Sequence, residues 1–336
     1  MKKTLLSSCF SYVVLCLFVG CSGKPGEGLP PGNTPVTLQL NWTPDPTFSG
    51  AHIAASRTRN FFAQEGLSVD IQPGGFGIDP FAPVVAKRAQ FAVVGADKAV
   101  IAFANGAPIR VVAVEFQRNP VGWIVRSSKG VKSLRDLADR KDLVLGDKVG
   151  TETTAILNLM LRRLGLADKL KPQGVGFEFA YFLQNENVVY PVYLNEEPVT
   201  AKVKGLDVVE IDPAAAENGA VQMYGNVIIT HRDTVTQNPK LVRAFVTGLS
   251  KGWEFAKSDS KGAEAILRQY KGFDNEQMPG VLARSVQYAT SSCGVAVPPG
   301  HMEVAQWENT LRVLGESGLL TKDVSVSELV WFSGAN

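Results

Sequence analysis

The side chains suited to recognising a small molecule sit in short segments that follow apolar runs. Trp42, Thr43, Pro44, Asp45 and Pro46 close the first of these runs. An indole there can offer a flat face to an aromatic ring, which adds about 0.5 to 1.5 kcal/mol to simple burial; the same ring can equally anchor a loop to the core. Asp45 can accept from an N–H or amino group or, between two prolines, start a turn. Gly74, Gly75, Phe76 and Gly77 bring main chain close to a ligand, because glycine lacks Cβ, or form a plain flexible turn. They lack the GxGxxG spacing and the following Lys and Ser of a phosphate loop. Asp97, just after Gly95 at a strand-to-helix junction, either caps the helix or points into a cleft. The stretch from Gly150 through Thr151 and Glu152 to Thr154 opens a helix whose free N–H groups suit an anion or carbonyl. Glu152 competes for that positive end, which favours a neutral or cationic ligand face. Tyr193, Asn195, Glu196 and Tyr224 add two aromatic faces and polar groups. Aromatic walls with several carboxylates suit a nitrogen heterocycle with N–H donors. They suit a sulfonate or nitrate poorly.

Other chemistries find little support. The histidines His52, His231 and His301 have no paired Cys or His spacing, so no metal site is expected. None of them lies in a nucleophile motif, so the chain reads as a binder, not an enzyme, with no cofactor. Basic and acidic residues number 34 and 32, and a balance this even gives no reason to expect nucleic acid as a partner.

The N-terminus carries an address. Lys2 and Lys3 precede an apolar run over residues 12–19 that is shorter than the about 20 residues needed to span a bilayer. Leu17, Phe18, Val19, Gly20 and Cys21 resemble a bacterial lipobox, with Phe18 where leucine is usual; an ordinary secretory signal is the alternative. The lipobox implies a signal peptide over 1–20, lipidation of Cys21, and an exported bacterial lipoprotein on the periplasmic or cell-surface side of a membrane. Residues 21–35 are rich in Gly and Pro and read as a flexible tether. Cys9 and Cys16 would leave with the signal, so Cys293 has no disulfide partner.

The body that must position the binding segments alternates strand with helix. Strands are expected at 36–42, 67–71, 91–94 and 109–115, with helices at 50–63, 83–89 and 96–105 between them. A second unit follows, with strands at 121–126, 142–145, 175–182, 188–192 and 226–230. Its helices include one opened by the capping box at Ser133 and Asp136 and one running to Leu164. Helices at 239–256 and 263–270 and a final region at 304–320 complete the chain. The fold class is α/β: two lobes, each a mostly parallel sheet flanked by helices, with a ligand cleft between them. Lobe 1 is expected at 36–120 and lobe 2 at 121–226, with a return segment over 227–336.

Several segments, in order, carry a family resemblance. They are Leu40 to Pro46, Phe61 to Val69, Gly95-Ala96-Asp97, Phe116 to Pro120, Lys132 to Leu137, Tyr193 to Pro198, Tyr224-Gly225-Asn226 and Asn238 to Val242. This set resembles the solute-binding proteins of ABC importers, in the branch serving thiamine-pyrimidine precursors, riboflavin and similar heterocycles. The resemblance implies the type II periplasmic-binding-protein fold and a monomer that closes on a small-molecule ligand, with Gln117 among the ligand-binding residues. It also implies an ABC permease and its ATPase as partners. The family's usual Asn-Glu-Pro stands here as Asn195-Glu196-Glu197-Pro198, which leaves open which glutamate faces the ligand. A small-anion binder, and an enzyme like the pyrimidine synthase that shares the fold, are the alternatives.

Overall fold

Strand β1 (Thr34–Gln39) alternates exposed and buried residues, and it packs Val36 and Leu38 inward. In the computed structural model, which describes residues 32–292 and 294–332, this strand lies inside a five-stranded sheet. Its neighbours are β2 (Leu67–Gln72), β3 (Phe91–Gly95), β4 (Ile109–Val114) and β10 (Asn226–His231), in the order β2-β1-β3-β10-β4. The second sheet is ordered β7-β6-β8-β5-β9, from β5 (Val121–Arg126), β6 (Val144–Asp147), β7 (Gln173–Gly174), β8 (Val188–Tyr193) and β9 (Val208–Ile211). Each sheet has four strands running one way and one, β10 or β5, running against them. In each case the reversed strand is the first one formed after the chain has crossed from the other sheet. The two-lobed α/β expectation is met. Lipidation of Cys21, the signal segment, most of the tether and the unpaired state of Cys293 lie outside the described residues.

The two crossing segments, 115–120 and 212–225, are laced together. Asn119 N–H donates to the Met223 carbonyl at 2.8 Å and Gly225 N–H to the Phe116 carbonyl at 3.0 Å. Arg118 forms an ion pair with Asp212 and lies 4.4 Å from the Tyr288 ring centroid. Two apolar clusters, one around Trp123 and Trp307 and one around Trp253 and Phe245, each draw residues from both sheets.

Two local expectations need correcting. The helix expected over 50–63 is two, Ser49–Ala55 and Phe61–Gln64. Ser56 Oγ donates to the Ile53 carbonyl and accepts from Arg59 N–H, diverting the helical ladder as such side chains do, and Asn60 turns to a left-handed φ of 54°. No strand forms over 175–182: the short β7 ends before it, and a helix follows at Ala180–Gln184. The carbonyls of Gly176, Phe177 and Glu178, which a strand would present to a neighbour, all lie within 2.8–3.1 Å of the Tyr190 hydroxyl.

Helix Pro239–Ser258 crosses Ser49–Ala55 at close range. A Cβ on Gly252 would stand 2.1 Å from the Gly50 carbonyl oxygen, which is main chain and cannot swing aside. Gly252→Ala is therefore expected to lower the unfolding free energy by about 1 to 3 kcal/mol, the usual cost of overpacking. Urea denaturation checks this; a variant as stable as the parent would show that the two helices are free to separate.

Candidate functional site

In an open α/β sheet the carboxyl ends of the parallel strands are where a ligand meets loops and helix starts. Here those ends hold a cluster of acids. Asp45 lies beyond β1, Asp97 follows β3, Glu115 follows β4, Lys148 and Glu152 follow β6, and Asn195, Glu196 and Glu197 follow β8.

Local hydrogen bonds fix each position. Asp45 is extended, and its Oδ1 accepts from Thr47 N–H at 2.6 Å, capping the 3-10 turn Pro46–Phe48. Asp97 sits in the first turn of helix Ala96–Ala104. Asp147, the last residue of β6, accepts from the hydroxyls of Thr153 and Thr154 at 3.0 and 2.9 Å, while Thr151 caps the same helix, Glu152–Arg163. Glu152 thus emerges rigidly, and its Oε1 accepts from the Tyr193 hydroxyl at 2.8 Å. Asn195 is fully buried and bridges the lobes. Its Nδ2 donates to Thr47 Oγ1 and to Ser285 Oγ, both at 3.2 Å, and its Oδ1 has no partner.

The adjacent glutamates differ in what they already hold. Glu197 Oε2 accepts from Tyr193 N–H at 2.7 Å, and its Oε1 lies 3.7 Å from Lys148 Nζ. Lys148 Nζ in turn stands 4.8 Å from the Tyr190 ring centroid. Glu197 and Lys148 therefore satisfy each other, whereas Glu196 is left to the repulsion of Asp45 and Glu197.

The electrostatics of the cluster follow from packing acids together away from water. Glu115 is 1% exposed and neither carboxyl oxygen has a hydrogen-bond partner. Burial pushes it up to about 8, with Asp45 adding; the Trp253 indole, nearby but outside hydrogen-bonding geometry, pulls the other way. Asp97, 2% exposed, with Oδ2 lacking a hydrogen bond and 4.0 Å from Lys98 Nζ, is raised to about 7 by burial and then by Glu152 from the opposite lobe, against the pull of Lys98. Burial, Asp45 and Glu197 lift Glu196 to about 8, with Lys148 opposing. Asp45 rises to about 6 through burial, moderated by Thr47. Burial and the neighbouring Glu152 carry the Tyr193 phenol well above its ordinary value.

The other residues singled out in the sequence occupy different surroundings. Trp42 is 49% exposed and Phe76 89% exposed. Gly74 N–H donates to the Trp42 carbonyl at 2.9 Å, and a Cβ on Gly74 would meet the Leu40 carbonyl oxygen at 2.4 Å. The loop that contains Gly75 therefore lies flat on the turn that carries Trp42. Gln117 spends its amide on the His301 carbonyl at 3.1 Å. The Tyr224 hydroxyl accepts from Glu303 N–H at 3.0 Å, and its ring packs 5.0 Å from Trp307. Glu115, Lys148, Thr47 and Ser285 were not singled out in the sequence. Only Glu115 had a signal there, as a lone acid ending an apolar strand.

Two open cavities lie elsewhere on the surface. One of about 320 Å³ is bordered by Arg118, Asp212, Gln287 and Ser291. The other, of about 510 Å³, is bordered by Gln39, Gln72, Asp79 and Arg88. Neither is lined by the clustered acids, which sit in the seam where the lobes touch.

The raised acids set a pH dependence. Between the ordinary carboxylate range and about 8 the folded protein keeps protons on Glu115 and Glu196 that the unfolded chain releases. Stability is then highest at the acidic end of this window and falls as pH rises through it, since the unfolded state binds fewer protons. Urea unfolding of the full chain across that range is expected to show the decline, and Glu115→Gln should flatten it. An unchanged slope in the variant would show that Glu115 ionises freely.

A profile of the family described as NMT1/THI5-like matches residues 46–263. The chain is similar to the riboflavin-binding protein RibY of Chloroflexus aurantiacus, 22% identical over 314 residues that cover 91% of this chain and 88% of that protein. Among solved structures it resembles the periplasmic aliphatic sulphonate binding protein SsuA of Escherichia coli, at 16% identity and a TM-score of 0.65, covering 89% of this chain and 92% of that one. It also resembles the desulfurization enzyme DSZB, at 13% identity and a TM-score of 0.52, covering 87% and 95%. These likenesses confirm the periplasmic-binding-protein fold. With the profile match spanning more than half of its length, the chain belongs to the NMT1/THI5-like family.

Proposed function

We propose that this protein is the solute-binding component of an ABC importer, and that it captures a small nitrogen heterocycle by closing two lobes over it. A thiamine-pyrimidine precursor, riboflavin and similar rings form the ligand class. The observation that carries this reading is the convergence of Asp45, Asp97, Glu115, Glu152 and Glu196 at strand carboxyl ends of both sheets. Carboxylates accept from ring N–H and amino groups, and hydrogen bonds to charged groups are worth more than neutral ones, about 1.5 to 3 kcal/mol. Family membership and the likeness to RibY point the same way.

The mechanism follows from the layout. Trp42, Asp45, Gly74, Gly75, Phe76 and Asp97 belong to one lobe, and Thr151, Glu152, Tyr193, Asn195 and Glu196 to the other. The ligand ring enters against Trp42, and closure brings Tyr193 and Glu196 to it from the second sheet. Gln117 and Tyr224, held at the crossing segments, support closure from behind. Lipidation of Cys21 would keep the binder beside its permease and ATPase, raising their effective concentration without a fixed contact.

Sulfonate binding and catalysis are less well supported. A sulfonate wants cations and open helix N–H groups, yet Glu152 occupies the start of its helix and Lys148 is engaged by Glu197. His52 is buried between the rings of Tyr270 and Phe273, hydrogen-bonded to the Phe48 carbonyl, and burial lowers its pKa to about 4. His231 caps helix Arg232–Gln237. Both rings have structural work that keeps them from substrate chemistry.

A thermal-shift screen of the full chain against vitamins, nucleobases and alkanesulfonates tests the reading, because a ligand that binds the folded state raises its melting temperature. Heterocycles are expected to stabilise and sulfonates to leave it unchanged; the reverse pattern would reject the heterocycle reading. With a stabilising compound in hand, Trp42→Ala should weaken binding by about 1.5 to 3 kcal/mol in calorimetry. Unchanged affinity would assign Trp42 to the loop alone.

A further inference from the structure

We propose that the ligand is a cation, a heterocycle carrying a protonated or quaternary nitrogen, and that Glu115 at the floor of the seam is its counter-charge. This rests on the solute-binding reading above. The buried polar atoms without partners along the seam are mostly acceptors: both Glu115 oxygens, Asp97 Oδ2 and Asn195 Oδ1. Glu115 and Asp97 are almost wholly removed from water. A buried acid left without a donor costs several kcal/mol if it ionises. Of the nearby cations, the half-exposed Lys98 stands 4.0 Å from Asp97 Oδ2, and Lys148 lies beside Glu197 and over the Tyr190 ring, while neither oxygen of Glu115 has a hydrogen-bond partner. A neutral N–H would satisfy one oxygen and leave the repulsion between lobes in place. A positive charge relieves the Asp97 to Glu152 and Asp45 to Glu115 repulsions together.

The rim supplies the remainder of such a ligand's needs. Trp42 and Phe76 on one lobe and Val149 and Phe177 on the other are exposed. Trp42 lies three residues before Asp45, and Val149 directly follows Lys148. A flat organic cation has its ring accommodated at this rim, where an indole face also attracts positive charge, and its charge directed inward.

The proton balance follows. Glu115 faces Asp45 and the Trp253 indole; Asp97 faces Glu152, Tyr193 and Lys98; Glu196 faces Asp45, Glu197 and Lys148. As the cation enters, these acids give up protons to solvent, so affinity rises with pH through the range where they titrate. A neutral ligand accepting from protonated acids would release none.

The test uses three compounds that share one ring, studied with the full chain by calorimetry: 1-methylnicotinamide, nicotinamide and nicotinate, with riboflavin as a larger neutral reference. The expected order is the cation first, the neutral amide at least about tenfold weaker, and no binding of the anion. Proton release should appear as a dependence of the binding heat on buffer ionisation. Glu115→Gln is expected to weaken the cation about tenfold more than it weakens nicotinamide. Tighter binding of riboflavin or nicotinamide than of the cation, or a cation affinity untouched in Glu115→Gln, overturns the inference and leaves the heterocycle reading standing. Binding of none of the four, together with a blank heterocycle screen, overturns both. If Glu115→Gln does not fold, the ranking of the compounds on the parent protein decides.

Discussion

Carboxyl groups held away from water and crowded against one another are the constraint around which this molecule is organised. Glu115 and Asp97 are buried to a degree usually reserved for leucine, and a lone charge in such surroundings is among the most unfavourable arrangements a fold can hold. The protein tolerates them by keeping the groups protonated over much of the neutral range. The acids stand at the ends of strands whose side chains are packed into the apolar clusters. The polar seam is thus strained by design of the sheets behind it, which fix the strand ends and deny the acids room to separate.

Communication between the halves runs through few connections. The segments that cross between sheets are hydrogen-bonded to each other and pinned by Arg118 and Asp212. The two crossings are thereby tied into one unit. Asn195 adds a contact of another kind, reaching Thr47 of the first lobe and Ser285 of helix Met278–Thr290 from the loop after β8. Its unpaired oxygen shows that this bridge satisfies only half of the amide, and that a donor from elsewhere is still wanted there.

Much of this arrangement was legible in the chain. Alternation and apolar runs located the strands, because both sheets pair residues whose burial the sequence pattern already encodes. Ser133 and Asp136 announced a capping box that is present. What escaped was decided by tertiary partners. The split after Ala55 depends on one serine hydroxyl, and the loss of the strand over 175–182 depends on Tyr190, more than ten residues away along the chain. Strand β9 and helices Glu197–Val203 and Met278–Thr290 were missed. In the site, the aromatic and acidic segments were visible from residue type, whereas the standing of Glu115 was not. A glutamate that ends a strand is usually solvated, and only the arrival of Trp253 and Asp45 closes it in. The doubled glutamate likewise became interpretable once Lys148 was seen to engage Glu197.

Every group in the acid cluster belongs to a loop or a helix start, just past the strands that form either sheet. The ladder hydrogen bonds, the laced crossings and the apolar clusters therefore carry the architecture without reference to what is held between the lobes. In evolutionary terms this separates cargo from chassis. Exchanging a handful of residues just past the strand ends would change the charge of the seam without touching the sheets, in keeping with one framework shared by proteins described as binding riboflavin, binding sulphonate and carrying out desulfurization.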